Sequence, residues 1–189
     1  IINEEYSEYM KISDELFIVT KDNKKGIINI DGNTILSSIY DDIKEYKDNV
    51  VTVNTLDKWG IVNLEDGSKI EPFYNSINII NSKKFIVELN DKYSLINEKE
   101  QELTDIKYAY MYYIDNYIIA IYNNKIDILN ENLDSKLIMK IDTEYSYTNS
   151  NERNSLNITS DKEYIYFSVY KNEKYIKYKY SKERNAISY

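Results

Sequence analysis

The sequence predicts an all-β protein built from tandem four-stranded antiparallel β-meanders, each about 34 residues long and arranged in a propeller-like way. Three observations carry that prediction. A tyrosine recurs at Tyr6, Tyr40, Tyr74 and Tyr108, a constant step of 34. A Lys-x-x-apolar-apolar-Asn segment keeps nearly the same step. The apolar runs between these landmarks are short, rich in Ile and Val, and bounded by Asp, Asn, Gly and Lys, which is the pattern of strands and not of helices.

The Lys segment appears first as Lys24-Lys25-Gly26-Ile27-Ile28-Asn29. It returns as Lys58-Trp59-Gly60-Ile61-Val62-Asn63, as Lys92-Tyr93-Ser94-Leu95-Ile96-Asn97 and as Lys125-Ile126-Asp127-Ile128-Leu129-Asn130. The runs Phe17-Ile18-Val19, Val51-Thr52-Val53, Phe85-Ile86-Val87 and Ile118-Ile119-Ala120 register with it. Within one unit the expected elements are a strand at 50–54, a turn at Asn54 to Asp57, a strand at 58–64, a tight turn over Glu65-Asp66-Gly67-Ser68 and a short strand at 69–71. An irregular link through Pro72 to Tyr74 would lead to a fourth short strand at 76–80. Asp31-Gly32 and Asp66-Gly67 are dipeptides suited to hairpin turns with positive φ. Gly26 and Gly60 stand inside strands, where glycine marks a bulge or a close approach; at Gly60 the expected neighbour is an aromatic ring.

Alternation along 58–63 puts Trp59 and Ile61 on one face and Gly60 and Val62 on the other. Both faces carry apolar residues, so the strand should lie between two neighbouring sheets, as stacked or radially packed repeats require. The units expected along a single 1–189 repeat domain are 1–14 (partial), 15–48, 49–83, 84–116, 117–161 with an insertion, and a degenerate or capping 162–189. Ile1-Ile2 fall on the register of Ile35-Leu36, so the chain is expected to begin in mid-unit as a fragment of something longer. Past Asn130 the pattern frays. The polar stretch 149–155 predicts a loop, and Tyr164 to Val169 with Lys174 to Tyr180 predicts a hairpin.

The residues Lys58-Trp59-Gly60-Ile61-Val62-Asn63, then Asp66-Gly67, then Ile70-Glu71-Pro72-Phe73-Tyr74-Asn75, resemble the WG-repeat (KWG) family of bacterial tandem β-repeat proteins. Its consensus runs approximately K-W-G-F-I-D-x-x-G-x-x-V-I-P-P-x-Y-D. The first copy keeps Gly26-Ile27-Ile28-Asn29, Asp31-Gly32 and Tyr40-Asp41 with Lys25 in the Trp position; the third keeps Tyr93 there and has Ser94 for the glycine; the fourth keeps only the apolar pattern. Tyr40, Lys58, Trp59, Gly60, Asn63, Gly67 and Tyr74 are thus expected as structural landmarks. The resemblance implies an architecture and an interaction role, without naming a ligand. Two closures fit it: a propeller of four-stranded blades, or an open β-hairpin superhelix or solenoid.

Composition excludes several function classes. Among 189 residues there is no Cys and no His, which removes disulfides, thiolate nucleophiles, imidazole bases and the usual zinc or copper ligands together. No cofactor is expected. A net charge of -8 argues against nucleic acid, because that affinity rests on Lys and Arg neutralising phosphates; the lysine-rich tail from Lys171 to Arg184 is interrupted by Glu173 and Glu183. No apolar stretch has the length of a membrane span, and residues 1–6 show neither the basic nor the apolar region of a signal peptide. Abundant Ile, Asn, Lys and Tyr suit an AT-rich bacterial genome. The compartment stays open, with an extracytoplasmic or cell-surface setting favoured over a cytoplasmic one.

Candidate site residues separate into structural and functional groups. Trp59, sitting on a repeat landmark, reads as packing and not as a stacking platform for a ligand. The pairs Glu4-Glu5 and Asp41-Asp42 point to opposite faces of a strand and cannot converge on a glycosidic bond; Asp14-Glu15 lacks calcium-loop spacing, and no metal site is expected. Lys24, Lys58, Lys92 and Lys125 open strands after turns, where lysine protects sheet edges from aggregation; a cationic row is the other reading. Of 21 tyrosines, 15 follow residue 100, so Tyr108, Tyr110, Tyr112, Tyr113 and Tyr122 are the expected interaction surface. The expected function is a non-catalytic module that binds protein, with carbohydrate or cell wall as the other candidate ligand.

Overall fold

The computed structural model is all-β, and no helix occurs among the described residues. Those residues are 5–104, 108–122, 125–130, 132–133, 136–140, 156–171, 174–184 and 186–188. Ile1-Ile2, Glu4 and the polar stretch 149–155 lie outside them.

Sheet 1 is β1 (Glu8–Lys11), β2 (Leu16–Lys21), β3 (Lys24–Asn29) and β4 (Thr34–Tyr40). Sheet 2 is β5 (Asp42–Lys47), β6 (Val50–Thr55), β7 (Lys58–Asn63) and β8 (Lys69–Tyr74). Sheet 3 is β9 (Ser76–Asn81), β10 (Lys84–Leu89) and β11 (Lys92–Asn97). Sheet 4 is β12 (Tyr110–Ile114), β13 (Tyr117–Tyr122), β14 (Lys125–Asn130) and β15 (Lys136–Lys140), and sheet 5 is β16 (Leu156–Ser160), β17 (Tyr164–Lys171), β18 (Lys174–Ser181) and β19 (Ala186–Ser188). In each, strands pair antiparallel in chain order. Every sheet is therefore a simple meander, the topology that short connections dictate. The expected C-terminal hairpin is the centre of a full four-stranded sheet.

The chain groups into two compact units, Ile1–Asn90 with Ser94–Asp105, and Asp91–Tyr93 with Ile106–Tyr189. In the first, Ile18, Ile27, Tyr40, Ile43, Val51, Val53 and Val62 form one buried cluster between sheets 1 and 2. Val50, Ile61, Ile70, Ile77, Ile79, Phe85, Val87 and Ile96 form another between sheets 2 and 3, with Trp59 and Tyr74 packed against it. Sheet 2 is thus apolar on both faces, with Trp59 and Ile61 on the side opposite Val62, as the alternation demands. Each buried aliphatic side chain contributes about 1.5–3 kcal/mol of transfer free energy, so neither cluster could form without the neighbouring sheet. In the second unit Ile119, Ile121, Ile126 and Ile128 of sheet 4 pack with Ile165, Phe167, Tyr178 and Tyr180 of sheet 5.

Three local expectations need correction. First, β8 runs straight through Pro72 to Tyr74, and the strand near 76–80 opens sheet 3 instead of ending sheet 2. Proline is tolerated there because β8 is an edge strand, where the missing N–H breaks no ladder. Second, among the described residues the two-residue hairpin turns with both residues at positive φ are Asp22-Asn23, Asp48-Asn49, Leu56-Asp57, Asn90-Asp91 and Asp115-Asn116. In the Asp-Gly pairs only Gly32 and Gly67 are left-handed, because longer loops close there. The landmark asparagine closes them: Asn29 Oδ1 accepts from Asp31 N at 3.1 Å and Asn33 N at 2.8 Å, and Asn63 Oδ1 from Glu65 N at 2.9 Å. Asn97 and Asn130 repeat the bond to Lys99 N and Asn132 N. This is an Asx-turn, which asparagine makes as well as the aspartate of the consensus. Third, sheet 3 has three named strands, and two isolated bridges, Tyr93↔Tyr108 and Ile96↔Glu102, stand where a fourth would pair.

Candidate functional site

The site is an open cleft of about 430 Å³ between sheets 2 and 3 in the first unit, within the range of small-molecule and side-chain pockets. Its floor is Val50, Ile61, Ile70 and Phe85, each buried as part of the cluster between the two sheets. Its rim comes from turns at one end of the meanders. Asp48 lies on the β5–β6 turn, Glu65, Asp66 and Ser68 on the β7–β8 loop, Ser82 and Lys83 on the β9–β10 turn, Lys69 opens β8, and Glu98 follows β11.

Polar stitches beside the cleft hold its walls. Lys47 Nζ donates to Ile80 O at 2.6 Å, and Ile79 N donates to Glu45 Oε2 at 3.0 Å, so β5 is pinned to β9 immediately before Asp48. Glu45 reaches across because a bulge puts it at φ 41° between Lys44 and Tyr46, out of the β5–β6 ladder; bulges re-aim side chains in this way.

Charge on the rim is unequal. Asp48, Glu65, Asp66 and Glu98 face two lysines, Lys69 and Lys83, and Lys69 is already held by Glu71 at 2.6 Å. The Ser68 side chain and backbone N–H both bond the Asp66 carboxylate and hold it below the usual carboxylate range. Among the described residues no ion pair engages Asp48, Glu65 or Glu98. Nor, among those residues, does any group of three or more carboxylates have the arrangement of a metal site.

The landmark residues frame this geometry without forming the site, apart from Asn63, which lines the cleft. Gly60 was expected to face an aromatic ring; it faces backbone. A Cβ there would lie 2.4 Å from Ile70 O and 2.7 Å from Pro72 N, because the β7–β8 register shifts between Trp59 and Ile61 and folds β8 over the glycine. Gly26 has the same role against β4. Trp59 packs on the core, with Lys44 Nζ 4.7 Å from its ring centre, a favourable cation–π placement. The first two repeated lysines tie their sheets to the next connection: Lys24 Nζ bonds Asp41 at 2.5 Å and Lys58 Nζ bonds Asn75 at 2.5 Å, each partner following a landmark tyrosine. Asp41 is held below its ordinary value by Lys24 and by the Leu56 N–H.

The tyrosines do not make one surface. Tyr108 is 2% exposed, a correction to its expected place on the surface. Its ring meets Tyr122 edge-on at 5.3 Å, and its hydroxyl donates to Asp127 Oδ2 at 3.2 Å; burial, then the Asp127 charge, raises its pKa. Asp127 occupies the position of Gly26 and Gly60. The β14–β15 register there is regular, Asp127 opposite Ile138, so no bulge crowds the side chain and a carboxylate fits where a Cβ otherwise could not. Replacing Tyr108 by phenylalanine should cost about 2 kcal/mol, the worth of a buried hydrogen bond to a charged group, read by urea denaturation; an unchanged midpoint would rule the bond out. Tyr110 is half-buried and stacks on Tyr112 at 6.3 Å, Tyr113 donates weakly to Asn116 at 3.4 Å, and Tyr112 alone of the five is open, at 39% exposed.

Asp48, Ser82, Lys83 and Glu98 carry no motif, and Glu65 stands out only as part of the tight turn with Asp66, Gly67 and Ser68. One signal was present: Asp48 and Ser82 are a repeat step of 34 apart, so equivalent turns of successive sheets supply opposite walls.

No protein-family model matches the chain, and no curated protein matches it. Solved structures do. Hsv2 of Kluyveromyces lactis with its complete loop 6CD superposes with a TM-score of 0.53 at 9% identity, covering 92% of this chain and 58% of that one. A second structure of Kluyveromyces lactis Hsv2 superposes at 0.52 with 10% identity, covering 96% and 62%. The chain therefore spans about three-fifths of the length of the Hsv2 chains it matches. These neighbours are β-propeller-like proteins, and at such low identity the likeness is one of fold.

Proposed function

We propose that this propeller-like array is a non-catalytic interaction module that binds a protein through the cleft between sheets 2 and 3. The observation that carries the reading is the cleft itself: an apolar floor under a rim of charged turn residues, the combination by which recognition sites join burial to specificity. Chemistry points the same way, since a chain without His or Cys assembles no imidazole- or thiolate-based catalysis. The spacing of Lys58, Trp59, Gly60, Asn63, Gly67 and Tyr74 within one copy, and the return of its lysine, asparagine and tyrosine in the others, supports placing the chain with divergent WG repeats.

Ser82→Trp fills the cleft from its rim without touching the core. Immobilised native chain should retain a defined protein from lysate, and Ser82→Trp should lose it. Retention of both chains alike, or retention only on intact cell wall, would overturn the reading. The stacked Tyr110-Tyr112 pair, with Tyr112 open, favours a second reading as a carbohydrate platform. Binding to isolated cell wall that Tyr112→Ala abolishes is its signature.

A further inference from the structure

We infer that the occupant of the cleft is a basic segment of the partner, seated with a Lys or Arg side chain over the floor. This rests on the cleft being the binding site. Two features of one surface select the ligand. Asp48, Glu65 and Glu98 stand on the rim without ion-pair partners among the described residues. With Asp66 they outnumber the two rim lysines, of which Lys69 is neutralised by Glu71 and Lys83 is left as the opposing cation. The rim therefore presents net negative potential that a cation relieves and an anion aggravates. Beneath it lie Val50, Ile61, Ile70 and Phe85, each only 1–3% exposed, a small apolar floor on which part of a Lys or Arg methylene stem can rest while the charged head stays at the rim.

The three carboxylates come from three connections in two sheets, the β5–β6 turn, the β7–β8 loop and the segment after β11. A basic side chain between them meets negative charge from several directions at once, which a flat acidic strand could not offer. Of the remaining rim groups, Asp66 adds a fourth carboxylate and Lys83 an opposing cation, while Asn63, Ser68 and Ser82 are neutral and can hydrogen-bond a peptide backbone. A metal ion would need a converged carboxylate set, and among the described residues none is found.

The test uses a fluorescein-labelled peptide alternating Arg and Leu, and its counterpart with Glu in place of Arg, followed by fluorescence anisotropy on the full chain. The basic peptide should bind, and more weakly as salt rises; the acidic one should not. Neutralising the rim with Asp48→Asn, Glu65→Gln and Glu98→Gln together should weaken the basic peptide on the order of tenfold. All three residues are exposed, and matched thermal melts confirm that the fold persists. A control with the same charge change, Glu15→Gln, Glu163→Gln and Glu183→Gln, alters exposed residues that do not line the cleft and should leave binding unchanged. Equal weakening in both triple variants would mean attraction to the net charge of -8 and would overturn the proposal, as would equal binding of the acidic peptide. If Ser82→Trp abolishes capture of the natural partner while the rim triple variant does not, the site stands and the basic occupant is wrong.

Discussion

Replacing Gly60 with alanine is expected to destabilise the first unit by about 3 kcal/mol, the upper part of the range for forcing atoms into packed space. The added Cβ would meet Ile70 O at 2.4 Å, Pro72 N at 2.7 Å and Glu71 C at 2.8 Å. All three are backbone atoms of β8, so relief requires moving a strand and not merely turning a side chain. That strand also carries Ile70 into the cluster between sheets 2 and 3 and Tyr74 against it. Gly67→Ala is the comparison: its φ of 74° disfavours a side chain, yet nothing lies within 4 Å of the new atom. Its cost should be about 1 kcal/mol. Urea denaturation of the two variants checks the claim, and equal midpoints would mean that the fold of β8 over Gly60 is not what the glycine is for.

The second large effect is at Phe85, 1% exposed and shared by the core cluster and the cleft floor. Phe85→Ala should cost about 4 kcal/mol, through lost transfer free energy and the cavity left behind. Because sheets in a repeat array depend mainly on their immediate neighbours, the loss should be local. Hydrogen exchange should accelerate most in β6, β7, β9 and β10, whose residues surround Phe85, and least in sheet 5. Phe73, 56% exposed on β8, supplies the contrast: its replacement by alanine should change stability by no more than about 0.5 kcal/mol. Uniform acceleration across all sheets after Phe85→Ala would contradict an array stabilised pairwise.

Each departure from the sequence expectations has its own physical cause. Pro72 looked like a chain break, but a proline at a sheet edge interrupts no ladder. Asp31-Gly32 and Asp66-Gly67 looked like the hairpin turns, while the tightest turns use Leu56-Asp57 and Asp115-Asn116, because two left-handed residues can be held by the strands on either side even where one is leucine. Tyr108 looked like surface for its place in a tyrosine-rich stretch, though it also belongs to the Tyr40 and Tyr74 register, whose members lie against a core. The register was the stronger signal.

By itself the sequence determined the period of 34, the short strands and the two apolar faces of β7, because each follows from interactions within a few residues or from side-chain alternation. Which four strands share a sheet was decided by pairing, β5 opening sheet 2 and β9 opening sheet 3. Its asparagine, glycine and lysine landmarks marked the right positions, although their bonds to turn N–H groups, to β8 backbone and to Asp41 and Asn75 became visible only in three dimensions. Tertiary structure alone decided the cleft. Asp48, Glu65, Ser82 and Glu98 lie on separate polar connections, with the repeat step linking only Asp48 to Ser82, and what brings them together is the packing of Ile61 and Ile70 against Phe85 and Ile96 across two sheets. That packing depends on the neighbouring repeat, so no single unit of the sequence contains the site.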